Sequence, residues 1–317
     1  MRTESECLAC FMRQAFTTAQ RCTDDPSVLE RAMRESARLI AQFDLESSPP
    51  ENAVHLYALI ARLTGEVDPF SAVKKQGNAL ALEMRGRMAE LLESAADPLR
   101  TAVRLAIAGN IIDYGTLHDF DPAASLERCL ETAPVIDDFP LLARELGEGD
   151  GKKKHVLLLA DNCGEIVFDG LLAGELQRFG HDVTMAVRGG VILNDATLDD
   201  ARDAGIDRIC RVIDSGVTCP GTPLQDCSAE LRDVFDRADI VLSKGQGNFE
   251  TLSETGRPVY FFLTVKCPVV AAHIRGLRPE AAERVTGGGE PVLIRMESGT
   301  NAYATDQDPA GRPSPGR

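Results

Sequence analysis

The spacing of hydrophobic positions changes once along the chain. Through the first 150 residues they recur at helical intervals, at Val28, Ala32, Leu39, Ile40 and Phe43, then at Val54, Tyr57, Ala58, Ile60 and Ala61. Such a stripe lets a helix bury one face. Asp-Pro pairs beginning at Asp25, Asp68, Asp97 and Asp121 stand where these stripes begin. Asp caps exposed amides and Pro fits the first helical turn, so each pair predicts a helix start. From His155 onward the pattern turns into short apolar runs, HVLLLA, DVTMAV, RICRVI, DIVLS, VYFFL and VLIRM, between helical or loop segments. Runs of this length buried on both faces predict a mostly parallel α/β sheet.

The chain therefore reads as a helical domain over residues 1–150, an α/β domain over 151–300 and a flexible tail over 301–317. The junction is placed in GEGDGKKK, Gly147 to Lys154, a polar and Gly-rich stretch suited to a boundary. The closing NAYATDQDPAGRPSPGR is too poor in apolar residues to add to a core.

The candidate chemistry lies where strands end. In LLLADNCGEIVFDGLLAGEL, Asp161 and Asn162 follow the apolar run, and Gly164 permits a tight turn into a helix beginning near Glu165. A plain turn with a helix cap explains the same residues. In VRGGVILNDATLDDA, Asn194 and Asp195 precede another helical segment. Should the two corners meet at one sheet edge, Asp161, Asn162 and Asp195 offer hard oxygen ligands that suit Mg or Mn better than a thiolate-selective metal. Spacing does not choose the metal, and Co and Ni stay open.

A third strand end, ADIVLSKGQGNFETL, brings Lys244 to neutralise a phosphate, Gly245 and Gly247 to let backbone amides approach it, and Asn248 to add a hydrogen bond. It lacks the Gly-Lys-Ser/Thr order of a Walker loop. In YFFLTVKCPVVA, Lys266 follows a buried strand, where it either completes a cationic clamp or is an ordinary exposed lysine at a strand end. Asn110 and Asp113, in AGNIIDYG, are second candidates for substrate contact, and Asp169, four residues after Glu165, either reinforces the site or faces solvent.

Charge narrows the partners. A formal net charge of -15 over 317 residues argues against a general footprint for nucleic acid or an anionic membrane, so a bound phosphate needs a local positive site. No apolar run reaches the roughly 20 residues that span a bilayer, and MRTESECLACFMRQAF lacks the apolar core of a secretory signal. A cytoplasmic protein is expected. The 9 cysteines, an odd number, are expected to be mostly reduced thiols.

Taken in order, AGNIIDYG, ADNCGEIVFD, ILNDATLDDA, ADIVLSKGQGNFE and LTVKCPVVA resemble the bacterial and archaeal branch of the damage-control phosphatase family. The resemblance implies a three-layer α/β/α Rossmann-like sandwich with a helical region, and divalent-metal-dependent hydrolysis of a small phosphorylated metabolite, a sugar phosphate or a damaged cofactor-related phosphate. It also implies metal ligation by Asp161, Asn162 and Asp195, with Glu165, the Lys244 to Asn248 loop and Lys266 near the substrate. Cys163 stands where Ala is common, and Leu-Thr-Val-Lys precedes Cys267 where the eukaryotic branch has Arg-Thr-x-Lys, so that branch's substrates are not carried over. The Cys7-Leu8-Ala9-Cys10 pair is similar to the amino-terminal feature of the microbial branch, with a structural or accessory role expected.

The expected mechanism places Glu165 on the attacking water and Lys244 and Lys266 on phosphoryl charge. A covalent route through Asp161 is ranked second, because Cys163 occupies the place of the second Asp in an Asp-x-Asp phosphatase motif. The alternative from another class is a noncatalytic metal or phosphometabolite sensor using the same pocket.

Overall fold

A computed structural model describes residues 1–112, 130, 132–147 and 152–296, with residues 110–112 described by backbone alone. The expected helix start at Asp121, the substrate role of Asp113, the side chain of Asn110 and the tail over 301–317 lie outside the described residues, as does the middle of the expected junction.

Helices α1 (Ser5–Cys22), α2 (Pro26–Ile40) and α3 (Pro49–Thr64) enclose a core of their own, built on Phe11, Ala15, Ala32, Leu56 and Ile60. The expected start at Asp25 opens α2, and α3 opens on a cap that the Asp-Pro pattern did not mark. Asp25 accepts a hydrogen bond from the Ser27 amide at 2.8 Å ahead of Pro26, and Ser48 and Glu51 form a reciprocal capping box. The next two helices, α4 (Ser71–Ser94) and α5 (Pro98–Ile112), turn to the sheet instead. Met88, Leu92, Leu99 and Leu105 share one core with Val156, Leu158, Phe168 and Leu172.

Among the described residues the sheet has seven strands, β1 (Ile136–Asp137), β2 (His155–Leu159), β3 (Asp182–Val187), β4 (Arg211–Asp214), β5 (Ile240–Lys244), β6 (Val259–Val265) and β7 (Glu290–Met296), in the order β1-β7-β6-β5-β2-β3-β4. Strands β2 to β6 run parallel, β7 is antiparallel to β6, and β1 pairs parallel with β7. The six expected apolar runs are β2 to β7. The sheet also takes in β1, upstream of the expected junction, whose two residues are too short to show a period.

Successive residues of the central strands enter opposite cores, which is why those runs are mostly apolar. Val156, Leu158, Leu242 and Phe262 meet α7 (Glu165–Arg178), whereas Leu157, Leu159, Val241 and Phe261 meet α9 (Ala229–Arg237) and α11 (Pro268–Leu277). The result is three layers with a mostly parallel sheet. Short helices α6 (Phe139–Leu146), α8 (Leu198–Asp203) and α10 (Gln246–Leu252) complete the connections. The chain leaves β2 toward β3 on one side and returns through β5 on the other, so the crevice at the carboxyl ends of β2 and β5 is the switch point where α/β sheets bind ligands. No helix among the described residues is long and apolar enough to cross a membrane.

Candidate active site

The corner after β2 and the loop after β3 are tied together by backbone. The Ala196 amide donates to the Asp161 carbonyl at 2.8 Å and the Cys163 amide to the Asn194 carbonyl at 2.9 Å, so Asn162 and Asp195 face each other as an isolated bridge. Asp161, Asn162 and Asp195 therefore converge, as their strand-end positions led us to expect. All three are buried. The Asn162 amide nitrogen donates to Asp161 Oδ2 at 3.1 Å and to Glu165 Oε2 at 3.3 Å. Both bonds use the nitrogen end and leave its carbonyl oxygen for another partner.

The residue that organises this floor is Arg188, which directly follows β3. Only 2 % exposed, its Nε donates to Asp195 Oδ2 at 2.6 Å and one terminal nitrogen to Asp161 Oδ1 at 3.1 Å. Its other terminal nitrogen bonds Asn248 Oδ1 at 2.8 Å, Thr222 Oγ1 at 3.2 Å and the Gly221 carbonyl at 3.1 Å. Burial pushes the Asp161 carboxyl well above the usual range and Asp195 adds to the push, while Arg188 opposes it. Asp195 is raised by burial too, again against Arg188. Two carboxylates this close in a dry site need such a counter-ion.

Behind the floor lies a second ion cluster. Lys244, with a side chain 0 % exposed, donates to Glu165 Oε1 and stands 2.8 Å from Asp169 Oδ1. Burial works against its charge, but Asp169 and Glu165 outweigh that and hold its pKa above the usual lysine range. Burial raises the Asp169 carboxyl to about 7 against the pull of Lys244. Asp169 thus reinforces the site and does not face solvent.

The Gly245 to Asn248 loop packs as tightly. A Cβ at Gly245, whose φ is 80°, would lie 1.9 Å from Asp161 Oδ2, so only glycine lets the carboxylate rest there. Asn248 is fully buried, its amide nitrogen donating to the carbonyls of Ala160 at 3.1 Å and Lys244 at 2.8 Å.

Above the floor is a cavity of about 540 Å³. Asp161, Asn162 and Asp195 line it, with Gln246, Gly247, Glu250 and Lys266 on the sheet side and Cys7, Cys10, Gln14 and Tyr57 on the α1 and α3 side. Lys266 and Gly247 thus line the cavity. Lys244, Gly245, Asn248 and Glu165 do not line the cavity. They sit behind its floor, where Lys244 is held between the carboxylates of Glu165 and Asp169. The thiols of Cys7 and Cys10 are free, Cys7 buried and raised to about 11 chiefly by burial.

Arg188 is the main functional residue that the sequence reading passed over. Its signal was present, since it ends the run DVTMAV as Asp161 ends HVLLLA. Asn78 was also missed. It reaches from α4 to accept the Gly164 amide at 2.6 Å, beside Lys74, whose ammonium lies 2.6 Å from Asp200. No strand-end rule points to a mid-helix amide.

The donor set fits a hard divalent cation, with two carboxylates completed by an amide oxygen and cavity volume for water. Among the described residues, no group of three or more His, Cys, Asp or Glu has metal-holding geometry, so this set depends on Asn162.

Comparison with known proteins finds relatives that cover most of the chain. Residues 3–280 match the family model of the damage-control phosphatase ARMT1-like domain. A damage-control phosphatase of Pyrococcus horikoshii is 33% identical over 280 residues, covering 87% of this chain and 95% of that protein. One from Archaeoglobus fulgidus is 33% identical over 289 residues, covering 86% and 96%. The crystal structure of a DUF89 family protein from Pyrococcus horikoshii superposes with a TM-score of 0.82 at 30% identity, over 94% of this chain and 100% of that one.

Proposed function

Because the chain belongs to the damage-control phosphatase family, it is a phosphatase acting on a damaged or misplaced metabolite, and we propose that its hydrolysis depends on a divalent cation, Mn or Mg, held by Asp161, Asn162 and Asp195. The observation that carries this is the meeting of those three oxygen donors on the floor of a cavity that Lys266 also lines. When bound, the cation would supply charge neutralisation at the phosphoryl oxygens and make a water more acidic.

The chain's own residues divide the remaining work. Lys266 balances phosphoryl charge at the cavity wall. Arg188 bridges Asp161 and Asp195 and opposes the burial that disfavours their charge. Glu165, anchored by Lys244, fixes the Asn162 amide so that its carbonyl oxygen faces the ligand position; this positioning replaces the contacts with water and phosphate expected of Glu165 and Lys244. Protein stripped of metal and resupplied separately with Mg, Mn, Co and Ni should hydrolyse members of a phosphate-ester panel only after resupply. Asp195→Ala should lose metal binding and hydrolysis together. Lys266→Ala should keep its metal while kcat falls by about 10²-fold, the typical cost of one stabilising donor. Equal metal loss in both variants would reject the division of roles.

Water is the proposed nucleophile. Asp161 is held at Oδ1 by Arg188 and at Oδ2 by Asn162, with Gly245 against its face. In this proposal the carboxylate holds the cation and does not attack phosphorus. Rapid quenching with a labelled ester, followed by mass analysis, should find no phosphorylated protein; a kinetically competent phospho-Asp161 would establish the covalent route instead.

A further inference from the structure

We propose that Glu250 recognises the part of the substrate remote from the phosphate, accepting a hydrogen bond from a hydroxyl or amino group there. The inference rests on the phosphatase reading and adds a substrate class to it, phosphomonoesters that carry a hydrogen-bond donor on the organic moiety.

Four observations support it. Glu250 is 8 % exposed, yet it lines the cavity that holds Asp161, Asn162, Asp195 and Lys266. Gln246 Nε2 donates to Glu250 Oε1 at 2.8 Å, while Gln246 Oε1 accepts from the Lys266 amide at 3.2 Å. The carboxylate is therefore held in a set orientation by a bridge to the residue that faces the phosphate. Gln246 occupies Oε1, which leaves Oε2 as the oxygen that can accept a ligand's hydrogen bond. The helix that carries it is clamped from outside, the Met1 ammonium donating to the Glu250 carbonyl at 2.8 Å.

A carboxylate in a largely buried side chain, with one oxygen anchored and the other able to accept, is suited to bonding a ligand's donor. Burial indeed raises the Glu250 carboxyl to about 7. The cavity's volume suits a small organic ligand, and a few placed polar groups in such a pocket set orientation and specificity. A site built to bond a substrate hydroxyl or amine rejects analogues without one far more strongly than a purely apolar wall does.

Glu250→Gln is an isosteric test that reverses polarity. The new carbonyl oxygen keeps the bond from Gln246, which turns the new amide nitrogen toward the cavity as a donor facing a donor. Steady-state kinetics on metal-loaded enzyme would compare glycerol phosphate and phosphoethanolamine with propyl phosphate, which has neither group. The expected result is a fall of at least tenfold in the ratio of kcat/KM for a donor-bearing ester to that for propyl phosphate. The fall with glycerol phosphate or with phosphoethanolamine tells hydroxyl from amine recognition. Glu250→Ala, which removes the acceptor without adding a donor, should lower the ratio in the same direction. An unchanged ratio in a folded variant would overturn the proposal while leaving the phosphatase reading intact. Wild-type enzyme that hydrolyses none of the three esters with any metal would overturn both.

Discussion

Replacing Arg188 by Met is expected to cost the metal-free protein about 3–5 kcal/mol of stability, the usual penalty for leaving a buried charge without its partner. The guanidinium is the group that touches both Asp161 and Asp195, at 3.1 Å and 2.6 Å, and it also joins them to Asn248 and Thr222. Without it, two carboxylates face each other in a site that already disfavours their charge. A divalent cation at the same oxygens would offset the loss, because a ligand that binds only the folded state stabilises it by mass action. Thermal unfolding in EDTA should therefore show a drop on the order of 10 °C. Added Mn should restore more of the melting temperature in the variant than it adds to the wild type. Arg188→Lys should recover little, since one ammonium cannot reproduce a planar fork that bonds two carboxylates and an amide. Equal melting temperatures for wild type and Arg188→Met in EDTA would show that the arginine is not the counter-ion of the floor.

How much of this was legible beforehand depends on what each residue needed to reveal it. Asp161 and Asn162 were readable because they lie just past β2, and Asp195 because it lies in the loop after β3, and a parallel sheet gathers its carboxyl ends at one edge. Strands β2, β3, β5, β6 and β7 were readable because both of their faces are largely buried, whereas the edge strand β4 buries only Ile213. Strand β1 was not readable, as two residues carry no periodicity, and its place depends on the pairing of Ile136 with Val292, far along the chain. The turn of α4 and α5 toward the sheet was equally hidden, because a helical stripe shows that a face is buried without naming what covers it.

Lys244 is the instructive case. A lysine ending a buried strand can point up to a ligand or down between the sheet and a helix, and composition alone does not separate the two. The deciding residues were present in EIVFDGLLAGEL, where Glu165 and Asp169 stand four apart on an otherwise apolar helical face. Two acids at that spacing on a buried face require a cation between them. The apolar segment around them was the sign that this cation would be drawn from the sheet beneath.

That reading leads to the second large effect, expected for Lys244→Met. Glu165 and Asp169 both have side chains 0 % exposed, so the variant leaves two carboxyls in a dry space without their ammonium. The cost at neutral pH should be about 3–5 kcal/mol, and its pH dependence has a definite sign. The Asp169 carboxyl is already raised to about 7 from its ordinary value near 3.8 with Lys244 present. A carboxyl raised in the folded state is protonated there while the unfolded chain has released its proton, so stability falls as pH climbs between the two values. Removing the cation that opposes this shift raises the folded value further and extends the decline above 7. Urea unfolding should accordingly show the smallest deficit of the variant near about pH 5.5 and a growing one toward about pH 8.5. Metal affinity should weaken by about 10–100-fold, since Glu165 then loses its anchor and with it the Asn162 amide, an outer partner of the kind that tunes metal sites. A lysine that instead clamped phosphate directly would give another pattern, a raised KM with stability unchanged at every pH. That result would return Lys244 to the cavity wall and remove the positioning role assigned to it.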